Sequence, residues 1–265
     1  MTFTLEKGSY HSPNKKINFL PKTFPSIFFY VRLFFIVLKA AGRAKRGLYF
    51  DADWAKSSVE TLKSLENVGV EINISGFENI QSLQKPCVFV GNHMSTLETF
   101  LLPGIILPCK RHTFVIKQSL VSYPIFKHVM ISRDPICLSR TNPREDLKIT
   151  LEEGQKRLAK GLSVVIFPQT TRTTEFDPEQ FNSIGIKLAK KSGCPVVPIA
   201  IKSDSWGNGK GQFKDFGKID PLKKVFFAFG EPLQIKGKGQ EEHNEVISFI
   251  SRHLDAWKNV GKNSF

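Results

Sequence analysis

His93 and Glu98, five positions apart in "GNHMSTLETF" (91–100), are the residues of this chain whose types and spacing most readily suggest chemistry. Imidazole titrates near neutral pH and can take a proton from a hydroxyl. A carboxylate that accepts a hydrogen bond from the other ring nitrogen fixes the tautomer and stabilises the imidazolium as it forms. Five residues of regular α-helix turn through about 500°, so positions i and i+5 do not share a face. His93 must therefore stand in the turn before a helix, with Glu98 in its first turn. A purely structural reading fits the same letters. "STLE" matches a capping box with Ser95 as N-cap and Glu98 at the third helical position, where the carboxylate only satisfies backbone N–H groups. Both readings place the two residues alike, so cap and catalytic pair are compatible. Ser95 and Thr96 offer hydroxyls, but neither lies in a Gly-x-Ser-x-Gly elbow. Direct attack by a substrate's own hydroxyl is the simpler chemistry.

Two arginines follow apolar runs: Arg140 closes "PICLSR" and Arg172 lies in "PQTTRT". Guanidinium is permanently charged and grips phosphate oxygens in pairs; a surface charge or a structural ion pair is the alternative for each. The elements that must position these residues follow from the apolar pattern. A greasy helix is expected over 24–48, an amphipathic helix over 51–69 and a strand at "VEINISG". Short apolar strands then recur at 86–91, 113–117, 135–139, 163–167, 195–201 and 225–229. Helical patterns lie between or after them at 96–106, 143–160, 178–191 and 241–258. This alternation predicts an α/β fold, a single layered domain whose central sheet is largely parallel and flanked by helices. Sites in such folds lie at the carboxyl ends of strands, which is where "GNHMSTLE" and "PQTTRT" fall. The expected division is a membrane-associating segment over 1–48, irregular to about residue 23, and an α/β domain over 49–265.

The chain has 265 residues, 38 of them basic and 24 acidic, for a net charge of +14. That field favours anionic partners: nucleic acid, anionic lipid or an acidic carrier protein. Phenylalanine occurs 23 times against four tyrosines, which suits a large core or a greasy surface. The cysteines at 87, 109, 137 and 194 form no Cys-x-x-Cys or Cys/His cluster, so no metal site is expected and buried reduced thiols are. The stretch "FPSIFFYVRLFFIVLKAAG" (24–42) is interrupted by Arg32 and followed by basic "RAKRG". Its uninterrupted apolar runs are shorter than the ~20 residues of a spanning helix. It reads as a core helix, an imperfect transmembrane helix or a helix lying in the bilayer interface. In the membrane readings Arg32, Lys39, Arg43, Lys45 and Arg46 meet anionic headgroups on the cytoplasmic side.

Taken in order, these blocks resemble the glycerolipid acyltransferase family, which includes the 1-acylglycerol-3-phosphate acyltransferases, over roughly residues 70–235. Asn92, His93 and Glu98 match Asn-His-x4-Asp, with glutamate for aspartate. "ICLSR" matches an apolar strand ending in arginine. "FPQTTR" resembles Phe-Pro-Glu-Gly-Thr-Arg through Phe167, Pro168, Thr171 and Arg172. "PVVPIAI", with Pro198, matches an apolar block around proline, and "VIKQSL" resembles the family's lysine segment through Lys117. The resemblance implies transfer of a fatty acyl group from an acyl-CoA or acyl carrier protein thioester to a lysophospholipid hydroxyl. The leading acceptor is 1-acylglycerol-3-phosphate, giving phosphatidic acid. It implies His93 as general base, Glu98 as its orienting carboxylate, and Arg140 and Arg172 as phosphate ligands. Lys117, Gln169, Thr170 and Thr171 complete the implied substrate site. Thiolate leaves readily, so neither metal, cofactor nor covalent enzyme intermediate is required, and backbone N–H groups near a strand end or helix start would stabilise the oxyanion. The implied location is the membrane, at the cytoplasmic face of the cell membrane, among anionic lipids.

The chain departs from the family pattern at Glu98, at Gln169 for glutamate, at Thr170 for glycine, and at Asn182 in "FNSIGIKLA", where a lysine is common. These changes bear on the acceptor pocket more than on the chemistry. Other classes remain: transfer to another lysolipid, a hydrolase using water, or a non-catalytic membrane lipid-binding protein. Nucleic-acid binding is permitted by the charge, but the basic stripes interleaved with aromatics of a known module are absent, so no nucleic-acid partner is expected. The lysines of "KGQFKDFGKIDPLKK" (210–224) belong either to the anion-attracting surface or to a merely solvated face.

Overall fold

The computed structural model describes residues 8–260 except 125, 170, 210 and 212–214, and side chains as far as residue 258. In chain order the elements are β1 (Tyr10–His11), α1 (Phe19–Thr23), α2 (Pro25–Lys45), α3 (Asp51–Glu66), β2 (Ile72–Ser75), α4 (Phe77–Gln81), β3 (Val88–Gly91) and α5 (Leu97–Ile106). Then come β4 (His112–Lys117), α6 (Lys127–Ile131), β5 (Ile136–Leu138), α7 (Pro143–Ala159), β6 (Ser163–Ile166), α8 (Ile184–Ser192), β7 (Val196–Lys202), β8 (Val225–Phe229) and α9 (Gln240–Val260).

The strands form one eight-stranded sheet in the order β1-β2-β8-β7-β3-β6-β4-β5. Every pairing from β7 through β3, β6 and β4 to β5 is parallel. The β7–β8 and β1–β2 pairings are antiparallel. Alternate residues along each central strand enter different cores, as the period of two requires. Phe89, Val165 and Val197 pack with α2, α3 and α5; Val88, Val164 and Val196 pack with α7, α8 and α9. Helices thus cover both faces, and the central strands read as continuous apolar runs because neither face meets water. On one face the packing leaves no room: a Cβ added at Gly185 would lie 2.5 Å from the Val90 side chain, so α8 sits directly against β3.

Two stretches differ from expectation. The N-terminal polar stretch is ordered from residue 8: Tyr10 pairs with Ile74 on the sheet edge, and its hydroxyl donates to Glu66 (2.5 Å). Over 178–191, Pro178–Gln180 makes only a 3-10 turn and α8 starts at Ile184. Phe181 is extended and buried between them, and the Asn182 carboxamide accepts the Ile184 N–H (3.0 Å) while donating to the Pro168 carbonyl.

The greasy helix is α2. Its 21 residues make it about 31 Å long, which matches the thickness of a hydrocarbon core. One stripe of it, Phe29, Leu33, Val37 and Ala40, is buried in the same core as the sheet. The opposite face leaves Ile27, Phe28, Val31, Phe34, Phe35 and Leu38 exposed. Phe29 is fully buried and meets Trp206 edge to face at 5.0 Å. Truncating a fully buried phenylalanine typically costs about 3–5 kcal/mol. Phe29→Ala should therefore lower the melting temperature of the detergent-purified protein and open the 203–220 loop to limited proteolysis. A variant as stable and as resistant as the wild type would show that α2 is not part of the folded unit.

Candidate active site

The carboxyl ends of β3, β6, β4 and β5, neighbours in the sheet, hold the residues singled out above. At β3 the strand ends in Gly91, but the sheet does not. The Asn92 side chain takes over, donating to the Ile201 carbonyl (2.8 Å) and accepting the Ile201 N–H (2.9 Å). Its carboxamide thus imitates one more strand residue and frees the main chain to turn. His93 stands at that turn. Its N–H donates to Gln169 Oε1 (2.6 Å), Gln169 Nε2 donates to Thr173 Oγ1 (2.8 Å), and the Thr173 N–H returns to the His93 carbonyl (3.0 Å). The imidazole lies flat on Phe167, with 4.5 Å between ring centres and 7° between planes. Backbone and ring are therefore both held.

Glu98 is fully buried, and its Oε1 lies 2.8 Å from His93 Nδ1. The same oxygen accepts the N–H groups of Met94 (2.7 Å) and Ser95 (2.9 Å), while Oε2 accepts the Ser203 hydroxyl (2.6 Å). Ser95 Oγ is shared among Oε2 and both oxygens of Ser203. A carboxylate has about four acceptor positions, and here they are filled. Burial pushes the Glu98 carboxyl upward; the His93 hydrogen bond and charge, with the Ser203 and Ser95 bonds, outweigh it and hold the group below the usual range. An ionised carboxylate only accepts, so Nδ1 carries the proton and Nε2 presents its lone pair outward.

The capping box is only half realised. Helix α5 begins at Leu97 with Thr96 as its cap residue, so Glu98 is the second helical residue and not the third. It accepts the Ser95 N–H as a box would, but Ser95 Oγ accepts from Leu97 (3.1 Å). The first turn is tight, with the Thr99 N–H on the Thr96 carbonyl, because the carboxylate is drawn back onto donors at 93–95.

Lys117 is exposed at the end of β4, in register with Leu138 of β5, two residues before Arg140. Arg140 has φ 59°, the left-handed region that a non-glycine residue rarely adopts and that clusters at functional sites. Partial burial depresses the Arg140 guanidinium pKa, Asp146 opposes this, and the positive charge of Arg172 depresses it further. Arg140 follows β5 and Arg172 lies in the loop after β6, at the same end of the sheet. Arg172 donates to the Thr96 hydroxyl and forms an ion pair with Asp215. Thr171 is exposed beside it, and Thr170 lies outside the described residues. An imidazole with a free ring nitrogen, at the same end of the sheet as two guanidiniums, can deprotonate a hydroxyl on a phosphate-bearing molecule.

A family profile described as Acyltransferase matches residues 71–202. The 1-acyl-sn-glycerol-3-phosphate acyltransferase of Pseudomonas aeruginosa is 31% identical over 189 residues, 71% of this chain and 68% of that protein. The chain belongs to the acyltransferase family. A chloroplast 1-acyl-sn-glycerol-3-phosphate acyltransferase of Arabidopsis thaliana is 33% identical over 140 residues, 53% of this chain and 37% of the plant protein. In fold, the acyltransferase is similar to the crystal structure of the 1-acyl-sn-glycerophosphate acyltransferase of Thermotoga maritima. The TM-score is 0.68 at 20% identity, covering 90% of this chain and 97% of that one.

Three residues of this acyltransferase site escaped the sequence reading: Thr173, Ser203 and Asp215. Ser203 had a signal, since it directly follows the apolar block that becomes β7 and so stands at a strand end. The cysteines offer no nucleophile. Burial raises all four thiols, Cys87 to about 12 and Cys194 to about 11, although only these two are fully buried.

The lowered Glu98 pKa fixes the sign of a pH effect. The unfolded chain binds the proton more tightly, so the stabilisation is complete above the ordinary glutamate value of 4.5 and is lost as pH falls toward the folded value. Denaturant titrations from neutral pH into that acid range should show a shallower loss of unfolding free energy in Glu98→Gln than in the wild type. Equal slopes would mean that the carboxylate is not held ionised.

Proposed function

We propose that this acyltransferase moves a fatty acyl group from acyl-CoA or acyl carrier protein to the free hydroxyl of 1-acylglycerol-3-phosphate, giving phosphatidic acid. The observation that carries the reading is the His93–Glu98 pair, its tautomer set, standing at the same end of the sheet as Arg172 and Arg140. His93 Nε2 takes the hydroxyl proton as the oxygen attacks the thioester carbonyl. The tetrahedral intermediate collapses, the C–S bond breaks, and the imidazolium returns its proton to the departing thiolate. Glu98 orients the ring and offsets its transient charge. Arg140, Arg172 and Lys117 bind the acceptor phosphate, and Thr170 and Thr171 complete the substrate site. Gln169 fixes the histidine from below through its backbone N–H.

The reaction belongs at a membrane, where both acyl chains reside. The outer face of α2 offers a row of exposed aromatic and aliphatic side chains, with Arg32, Lys39, Lys45 and Arg46 exposed alongside. The inner stripe is committed to the protein core, so this face suits a helix lying in the interface of an anionic, cytoplasmic leaflet and not one surrounded by lipid. Arg43, expected among the headgroup contacts, is turned instead to Asp53.

Thiol release from acyl-CoA, with and without 1-acylglycerol-3-phosphate and with lipid products identified, tests the reading. Acceptor-dependent release with phosphatidic acid as product is expected. His93→Ala should lower kcat by about 10²–10⁴-fold, the usual contribution of a general base, with the fold retained. Arg172→Ala should act mainly on the acceptor KM, raising it by roughly ten- to a hundredfold, the worth of a charged hydrogen-bonded contact. Undiminished turnover in His93→Ala would sink the mechanism, and acceptor-independent release would point to a hydrolase.

A further inference from the structure

Arg172 already holds an anion, and that anion belongs to the protein. Asp215 comes from the long connection between β7 and β8, outside the stretch that matches the family profile. The connection is built to hold it. Its base is pinched by the Trp206–Ile219 bridge and by Gly207 N–H on the Lys218 carbonyl (3.0 Å). Trp206 Nε1 donates to the Asp215 carbonyl itself (3.2 Å). Asn208 Nδ2 donates to the Met94 carbonyl (3.0 Å), which ties the connection to the turn bearing His93. From outside, α2 anchors it twice: the Tyr30 hydroxyl donates to the Gly217 carbonyl (2.5 Å), and Ser26 Oγ accepts the Ile219 N–H (3.0 Å). The Asp215 backbone is thus fixed, while its side chain is 33% exposed against 15% for Arg172.

A phosphate that grips Arg172 through Nη2 competes with that carboxylate. A phosphate monoester carries a charge of roughly −1.5 to −2 near neutral pH and three terminal oxygens. A phosphodiester carries a single negative charge. Exchanging Asp215 for a diester therefore replaces one monoanion by another and gives up a preorganised ion pair. Exchange for a monoester brings additional charge to Arg172. A built-in competitor of fixed charge discriminates between ligands by a difference in affinity.

We propose that Asp215 is a specificity-determining residue of this acyltransferase. By occupying Arg172 it excludes lysophospholipids with phosphodiester headgroups and yields only to a phosphate monoester. The inference rests on the reading of Arg172 as the acceptor-phosphate ligand.

The test compares full-length wild type, Asp215→Asn, Asp215→Glu and Arg172→Ala in mixed micelles. Two acceptors are used: 1-acylglycerol-3-phosphate and lysophosphatidylglycerol, a singly charged diester. Asp215→Asn should raise kcat/KM for the diester by about tenfold or more through KM, the scale of one charge-assisted contact, and change the monoester value by much less. Asp215→Glu should restore the wild-type preference, which loss of loop structure alone would not permit. Asp215→Ser repeats the measurement should the Asn variant melt early. An unchanged preference in a folded uncharged variant, with Arg172→Ala still raising the monoester KM, overturns the role of Asp215 and leaves the phosphate site standing. If Arg172→Ala leaves that KM unchanged, the phosphate reading itself falls and takes this inference with it.

Discussion

The buried carboxylate of Glu98 is the constraint from which the architecture of the site follows. Removing an ionised group from water costs several kcal/mol unless its lone pairs are met. Here they are met from two places far apart in the chain: the 93–95 turn and Ser203. Those places coincide only because β3 and β7 are neighbours in the sheet. Gly91 is in register with Ile199, and Asn92 extends the pairing to Ile201. The strand order is therefore a condition for keeping the carboxylate charged, and its charge in turn fixes the histidine tautomer.

The proposed reaction makes two electrostatic demands that oppose each other. A histidine base needs a carboxylate close by, and a phosphate needs negative charge kept away. The fold separates the two by depth. Glu98 is fully buried, its oxygens held by the 93–95 turn and by Ser203. The cationic groups stand at the end of β4 and in the loops after β5 and β6. Asp215 is the exception, a carboxylate on the phosphate side. A negative charge at that point makes sense where the site must be occupied before the acceptor arrives, since a half-buried guanidinium without a counter-ion is itself costly.

Much of this was legible in the sequence because the central strands are buried on both faces. They appear as unbroken apolar runs, and the expected limits of β3, β4, β6, β7 and β8 lie within two residues of those observed. The His-x4-acid spacing was legible for a related reason, since a turn followed by a helix brings the two side chains together by local geometry alone. What could not be read depends on distant partners. β1 is polar and exists because Tyr10 finds Ile74 and Glu66. The helix expected from residue 178 fails there because Phe181 is worth more buried than exposed on a helical turn. Asp215 carries no local pattern and Ser203 only its place after an apolar run; the partners that define both lie more than forty positions away in the chain.

Gln169 shows how a departure from a family pattern can be read once its neighbours are known. The side chain at this position must accept the His93 N–H, and an amide oxygen does so as a carboxylate oxygen would. The amide adds what a carboxylate lacks: its nitrogen donates to Thr173, whose own N–H returns to the His93 carbonyl. The result is a closed ring of three hydrogen bonds that contains no net charge. With glutamine, the only carboxylate bonded to Arg172 among the described residues is Asp215, on a partly exposed side chain. Counter-charge held in that way can be displaced, whereas counter-charge buried beneath the histidine could not.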